Sequence, residues 1–413
     1  MHGLNRHQYN KTSSLLKSFP VVVIIGPRQC GKSTLAKMVG VDWRYFDLEN
    51  PVHFDRINDD PVLFFREHSQ NIIIDEAQRS ARLFETLRGV VDQDRQNKGR
   101  FLLTGSASFE LMSHISETSA GRVAIVELAP FKVDEKLCLP LPNFYKIFES
   151  KIDSESLKGL KNLSPTKTFA DLKNGLLYGG HPEPVLSHDQ DFYLDWMDNY
   201  FDTYINRDMR YLFPKLDLVK YRRVLMMLTQ LSGTVVNKSE VARSVEVSEK
   251  SIRDYMEIVS GTFFWRDLPA FLTPKVKTTL KLPKGHFRDS GLGLFLQNIH
   301  TKQDLDNFPK LGNYFESFVV EEIIRGFESA RVRNLKYFHF RTKAGGEIDL
   351  ILSGSFGLLP IEVKYASNVK AKQITALKQF VDLHNLEMGI VISNTTEPAM
   401  ITDKIIQLPA CCI

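Results

Sequence analysis

Three groups of residues in this sequence have the types and spacing for chemistry. The first is the run Gly26-Pro27-Arg28-Gln29-Cys30-Gly31-Lys32-Ser33-Thr34. Its glycines let backbone N–H groups turn inward around an anion, Lys32 reaches β- and γ-phosphates, and Ser33 offers a hydroxyl to Mg²⁺. The second is Asp75-Glu76, which follows Ile72-Ile73-Ile74. Asp75 is suited to hold Mg²⁺ through water, and Glu76 to orient and activate an attacking water. ATP and Mg²⁺ are the ligands these two motifs require together. The third is Asp349, Glu362 and Lys364, with Glu316 upstream. A Mg²⁺ between Asp349 and Glu362 would bind a scissile phosphate, and Lys364 would position the water or stabilise charge.

Each group needs elements to position it. Val21 to Ile25 are five β-branched residues, read as a buried strand that delivers the chain into the glycine run. A helix starting near Lys32 adds its N-terminal dipole. Trp43 to Leu48 reads as a second strand, and Asp59-Asp60-Pro61 as the start of a helix. Ala81 to Val91 is helical, and Phe101-Leu102-Leu103 is a strand ending in Thr104-Gly105-Ser106. A hydroxyl there would sense the γ-phosphate or the water, and Thr104 and Ser106 are equal candidates. Gly121-Arg122 precedes a further strand, Val123 to Leu128. Arg122 reads either as an arginine finger acting in a neighbouring subunit or as a surface arginine. Strands alternating with helices, with acids at strand C-termini, predict a doubly wound parallel sheet.

The order phosphate loop, Asp-Glu, polar sensor and late arginine resembles the AAA+ ATPases. It is most similar to the prokaryotic branch carrying GPRQxGKST, YFDLENP, IDEAQ, LLTGSAS and AGR, over about residues 15 to 135. The resemblance implies an ATPase, with Lys32, Asp75, Glu76, Thr104 or Ser106, and Arg122 as its working residues. Cys30 occupies the variable position before Gly31, which would make ATP binding sensitive to thiol reagents.

Residues 136–220 read as a helical lid and connector. In it, Arg207 or Arg210 could project onto the γ-phosphate or lie on a solvated helix end. Residues 221–300 contain two short helices separated by a tight turn at Val245-Glu246-Val247, each opening near a serine, an arrangement that resembles a helix-turn-helix. The basic stretch Lys275 to Lys284 would form a wing. If the module binds DNA, Lys250, Ser251 and Arg253 lie on or near the recognition helix, with Lys275, Lys277 and Lys281 on backbone phosphates. Winged helices also serve as protein-interaction modules.

In residues 301–413 the helix Asn313 to Phe327 carries Glu316, and strands around Lys336 to Arg341, Glu347 to Leu352 and Leu358 to Lys364 follow. Glu347 with Asp349, and Glu362 with Lys364, share strand faces because side chains alternate. The α-β-β order resembles the PD-(D/E)XK nuclease superfamily, with Glu316 matching its helical acid. That resemblance implies either cleavage or a fold kept as a grip.

Composition sets the outer limits. The 413 residues suggest several domains, and 43 % hydrophobic with 25 % charged residues is ordinary for a globular chain. The longest apolar run is far short of the ~20 residues of a membrane span, and the N-terminal stretch has no apolar signal core. A cytoplasmic address and no membrane partner are therefore expected. Four cysteines form no C-x-x-C pair, which excludes the familiar zinc and redox motifs. A net charge of +4 permits a local nucleic-acid patch without requiring one.

The resulting expectation is an α/β protein. It has a doubly wound AAA+ core (1–135), a helical lid (136–220), a winged-helix-like module (221–300) and a small nuclease-like α/β domain (301–413). It would be an ATP-driven motor on duplex or branched DNA, assembled as a homo-oligomeric, hexamer-like ring. The alternatives are an ATP-gated, Mg²⁺-dependent DNA nuclease and a nucleotide-dependent switch for protein partners.

Overall fold

The computed structural model describes residues 6–106, 121–273, 276 and 279–413. The chain divides into two compact units, Met1–Phe131 with Gly261–Phe263, and Lys132–Ser260 with Phe264–Ile413.

The first unit is built on a five-stranded sheet of β1 (Val21–Ile25), β2 (Arg44–Asp47), β3 (Ile72–Asp75), β4 (Phe101–Gly105) and β5 (Val123–Glu127). Its order is β2-β3-β4-β1-β5, with every pairing parallel. A parallel sheet is covered on both faces, so its central strands must be apolar throughout. All five residues of β1 and the three isoleucines of β3 are buried accordingly. Two separate cores result: one packs Val21, Val23 and Ile74 against Phe64 and Leu87, the other packs Val22, Ile24 and Ile73 against Leu35 and Ala36. Helix starts fall where the side chains can cap them. Asp60 accepts from the Leu63 N–H at 2.9 Å to open Pro61–Glu67, and Ser80 caps Ala81–Gln93.

In the second unit a small sheet of β6 (Thr234–Val235), β7 (Trp265–Leu268) and β8 (Lys284–Phe287) runs in the order β6-β8-β7, all antiparallel. It accompanies the helices Leu218–Leu231, Lys238–Ser244 and Glu249–Gly261, the last two joined through the Val245 turn, so a helix pair with an adjoining β-ribbon is present. A six-stranded mixed sheet follows, made of β9 (Lys336–Arg341), β10 (Glu347–Gly354), β11 (Gly357–Lys364), β12 (Gly389–Ser393), β13 (Ala399–Thr402) and β14 (Ile405–Pro409). Its order is β13-β14-β12-β11-β10-β9.

The helix Leu311–Ser329 lies against this sheet and is buried along most of its 19 residues. The segment expected to form a lid contributes to the same core. Phe144, Tyr145 and Phe148, in and just after its early helix Asn143–Lys146, pack edge-on or tilted against Phe327, and Leu172, Leu176 and Leu177 join them. From Tyr178 onward that segment also turns to the core of the helix pair, with Tyr193, Met197, Tyr200 and Phe201 buried in it. Amphipathic helices show which of their faces is apolar, not which partner will cover it. That is why 136–220 read as a module of its own.

The stretch leading into β8 is fastened to the edge of the larger sheet. The Phe271 N–H donates to the His339 carbonyl at 2.7 Å and the Leu280 N–H to the Arg341 carbonyl at 2.8 Å, with bridges Ala270–His339 and Thr279–Thr342. The expected wing is thus partly an addition to a sheet. Its last lysine, Lys284, is buried at 1 % exposure.

Candidate functional site

The phosphate loop leaves β1 beside the end of β4, since Ile25 is in register with Gly105. Gly26 passes so close to the Leu128 carbonyl that a Cβ would stand 2.1 Å from its oxygen. Gly31, at φ 95°, takes the left-handed region that starts the helix Lys32–Val39. Arg6 braces the loop from outside, donating to the carbonyls of Cys30 at 2.7 Å and Ala129 at 2.6 Å. The buried Lys32 ammonium donates to the Gly26 and Pro27 carbonyls, at 3.1 and 2.8 Å, so its charge sits within the loop. Gln29 is also left-handed, Arg28 pairs with Glu49 at 3.1 Å, and Thr34 is exposed.

Cys30 differs from expectation. It is fully buried and its thiol faces the Leu128 carbonyl at 3.3 Å, so a reagent in solvent has no path to it in the folded state.

At the C-terminal end of β3 the two acids have different surroundings. Asp75 is buried and its two carboxylate oxygens accept from Thr104 and from the Tyr45 hydroxyl. Burial first, and then the Asp75 carboxylate, push the Tyr45 phenol well above its ordinary range, while a bond from Ser33 opposes this. Glu76 takes a left-handed backbone, φ 52°, which turns its side chain out of the strand's alternation. Its carboxylate accepts from Gln78 at 2.5 Å and from Ser106 at 2.9 Å, while its N–H donates to Thr104 at 3.2 Å. The two candidate hydroxyls thus bond different carboxylates, Thr104 that of Asp75 and Ser106 that of Glu76. Tyr45 and Gln78 were missed in the sequence, although each lies inside a quoted motif, YFDLENP and IDEAQ. Arg122 is held by Asp92 within its own unit, at 2.6 and 3.1 Å.

In the second unit Lys250 and Arg253 are exposed on the helix Glu249–Gly261, while Ser251 is engaged with Ser248 at 2.9 Å in opening that helix. Lys281 is exposed, and Lys275 and Lys277 lie outside the described residues. Arg207 is exposed on the π-helical turn Tyr204–Met209 that follows Gln190–Thr203, and Arg210 is exposed at the start of the short helix after it.

The residues Glu316, Asp349, Glu362 and Lys364 do come together, with a member the sequence reading did not supply. Lys284 donates to Asp349 at 2.6 Å and Glu347 at 2.7 Å, and lies 3.9 Å from Glu316. Lys364 meets Glu362 at 2.6 Å and Glu316 at 3.9 Å. The second oxygen of Asp349 accepts from the Val363 N–H at 2.8 Å. Burial, then the nearby Asp349 charge, raise the Glu362 carboxyl well above the usual range and Glu316 to about 7. Burial would raise Asp349 too, but Lys284 and Lys364 hold it low. The expected position for Mg²⁺ between Asp349 and Glu362 therefore faces ammonium groups. Among the described residues, no cluster of three or more His, Cys, Asp or Glu side chains is arranged to hold a metal.

Comparison with known proteins divides the chain similarly. Residues 18–137 match the family model described as AAA domain. Residues 169–303 and 311–413 match two domains of unknown function, DUF8612 and DUF4143. The chain is 30 % identical over 393 residues, 95 % of its length and 80 % of theirs, to the uncharacterized proteins Rv2008c of Mycobacterium tuberculosis and Mb2031c of Mycobacterium bovis. Among solved structures, the Walker-type ATPase PABY2304 of Pyrococcus abyssi is similar at 13 % identity and a TM-score of 0.44. That match covers 71 % of this chain and 95 % of the other. Among the described residues, no helix is long and apolar enough to cross a membrane.

Proposed function

We propose, on the premise that this chain belongs to the family of the mycobacterial proteins Rv2008c and Mb2031c and carries a P-loop domain of the AAA class, that it is an ATP-hydrolysing motor acting on duplex or branched DNA as a homo-oligomeric ring. The observation that carries the reading is the pairing of two acids with two separate hydroxyls at one end of the sheet, Asp75 with Thr104 and Glu76 with Ser106. A loop that only holds a nucleotide needs Lys32 and Ser33. A site that hydrolyses one also needs a carboxylate aimed at water and fixed in place, as Glu76 is by Gln78 and Ser106. In this reading Lys32 neutralises phosphate charge, Ser33 and Asp75 hold Mg²⁺, Glu76 orients the water, and Arg122 leaves Asp92 to serve a neighbouring subunit.

The DNA part of the proposal rests on the helix pair, with Lys250 and Arg253 exposed on its second helix. Phosphate contacts of that kind make binding fall steeply with salt. ATP turnover measured against single-stranded, duplex and four-way-junction DNA, with Glu76→Gln as the inactive control, tests the motor. Stimulation by one DNA form, lost in Lys250→Ala/Arg253→Ala, is the expected result. A rate indifferent to all DNA overturns the DNA role, and a monomer in sedimentation with and without ATP overturns the ring.

The Arg122–Asp92 pair favours a second reading. With that arginine kept in its own subunit, nucleotide would act as a switch for protein partners, and turnover would respond to neither DNA nor protein concentration. The ATP-gated nuclease alternative has Lys284 against it.

A further inference from the structure

Lys284 is the least expected member of the C-terminal cluster and the best fixed. Its backbone lies in the central strand of the small sheet, in register with Val235 on one side and Leu268 on the other. Its side chain is 1 % exposed and ends among Asp349, Glu347 and Glu316. A lysine carried this deep keeps its charge only where carboxylates compensate for lost hydration. Burial works against its charge, and Asp349, Glu347 and Glu316 together hold the ammonium above its ordinary range.

The carboxylates of the cluster are already met by cations. Lys284, Lys364 and Arg341 face Glu316, Glu347, Asp349 and Glu362, three cations against four carboxyls. Both oxygens of Asp349 are also engaged, by the Lys284 ammonium and the Val363 N–H. A divalent ion would have to displace a lysine whose strand is paired with a neighbour on each side.

We propose that Lys284 is the resident cation of the Asp349–Glu362–Lys364 cluster, so that this nuclease-like fold keeps its carboxylates together without a divalent metal and does not cut nucleic acid. The inference is independent of the ATPase reading, since every residue in it belongs to the second unit. It gives the intact acids a use: they accept the lysine that ties the small sheet to the large one.

The test uses the full-length protein without nucleotide and Mn²⁺ as the probe, with free Mn²⁺ followed by electron paramagnetic resonance. Wild type and Asp349→Asn are expected to take up Mn²⁺ equally. Lys284→Met removes the charge at similar volume and is expected to gain one Mn²⁺ per chain, at least tenfold tighter. That gain should disappear in Lys284→Met/Asp349→Asn, and Lys284→Arg should not show it. Mn²⁺ uptake by wild type that Asp349→Asn abolishes overturns the proposal, as does a folded Lys284→Met chain that gains none. Should Lys284→Met fail to fold, wild type incubated with supercoiled plasmid and Mg²⁺ or Mn²⁺ decides the matter. Intact plasmid upholds the proposal, and metal-dependent nicking that Asp349→Asn removes refutes it.

Discussion

Replacing Thr104 by valine separates two hydroxyls that local sequence treats as equivalent. The substitution keeps the shape of a fully buried side chain and removes one oxygen. That oxygen donates to Asp75 and accepts from the Glu76 N–H. A hydrogen bond to a buried charged group contributes about 1.5–3 kcal/mol. At about 1.4 kcal/mol per factor of ten, the expected loss is roughly 10- to 150-fold. It should appear in the Mg²⁺-dependent part of nucleotide affinity, because Asp75 is the acid that loses its donor. Ser106→Ala removes a bond from a half-buried residue to Glu76, which keeps Gln78. About 1 kcal/mol, or roughly fivefold, should fall on turnover alone. A fluorescent ATP analogue titrated with and without Mg²⁺ reports the first effect, and phosphate release at saturating ATP the second. The reasoning fails if Thr104→Val leaves Mg²⁺-dependent affinity within twofold of wild type, or if Ser106→Ala weakens it as much.

Two further outcomes follow from burial. Titration with a thiol reagent should find one fast cysteine, the exposed Cys138. Cys30, Cys411 and Cys412 should react only on unfolding, with burial pushing the Cys412 thiol up to about 12. Rapid loss of nucleotide binding through Cys30 would contradict its packing against Leu128. His286 is fully buried, and desolvation followed by the Lys284 charge lowers it to about 3. Above its unfolded value of about 6.5 both states are neutral there. As pH falls below that, the unfolded chain binds a proton the folded chain refuses, so stability declines. The decline is about 2–3 kcal/mol between pH 6.5 and 4.5. Urea midpoints for His286→Gln should fall less over that interval, and parallel declines would remove His286 as a cause.

What local sequence could reveal was the chemistry carried by consecutive residues. The run Val21 to Ser33 and the pair Asp75-Glu76 are single strand-to-loop units, so their placement needs no distant information. The choice between Thr104 and Ser106 does, because it depends on which acid lies across the β3–β4 pairing. The glutamate's left-handed backbone decides that point. Lys284 was harder still. A lysine at the end of a basic stretch reads as surface, and the two carboxylates it bonds most closely, Glu347 and Asp349, lie more than 60 residues onward. Charge pairing at that separation leaves no periodic trace. The helices before Tyr178 were legible as helices, but their choice of the C-terminal sheet rests on aromatic packing around Phe327 that no spacing encodes.

The bridges between the stretch before β8 and the strand Lys336–Arg341 have a consequence for solubility. That strand is the outermost of six, and an open strand edge offers unpaired N–H and C=O groups to any other chain. The Pro269 and His339 carbonyls, the Phe271 and Leu280 amides, and the ring of Phe271 against Phe338 occupy part of that edge with the protein's own backbone. Shortening this crossover would expose a template for intermolecular strand pairing, and aggregation during expression would register the damage before any assay of function could.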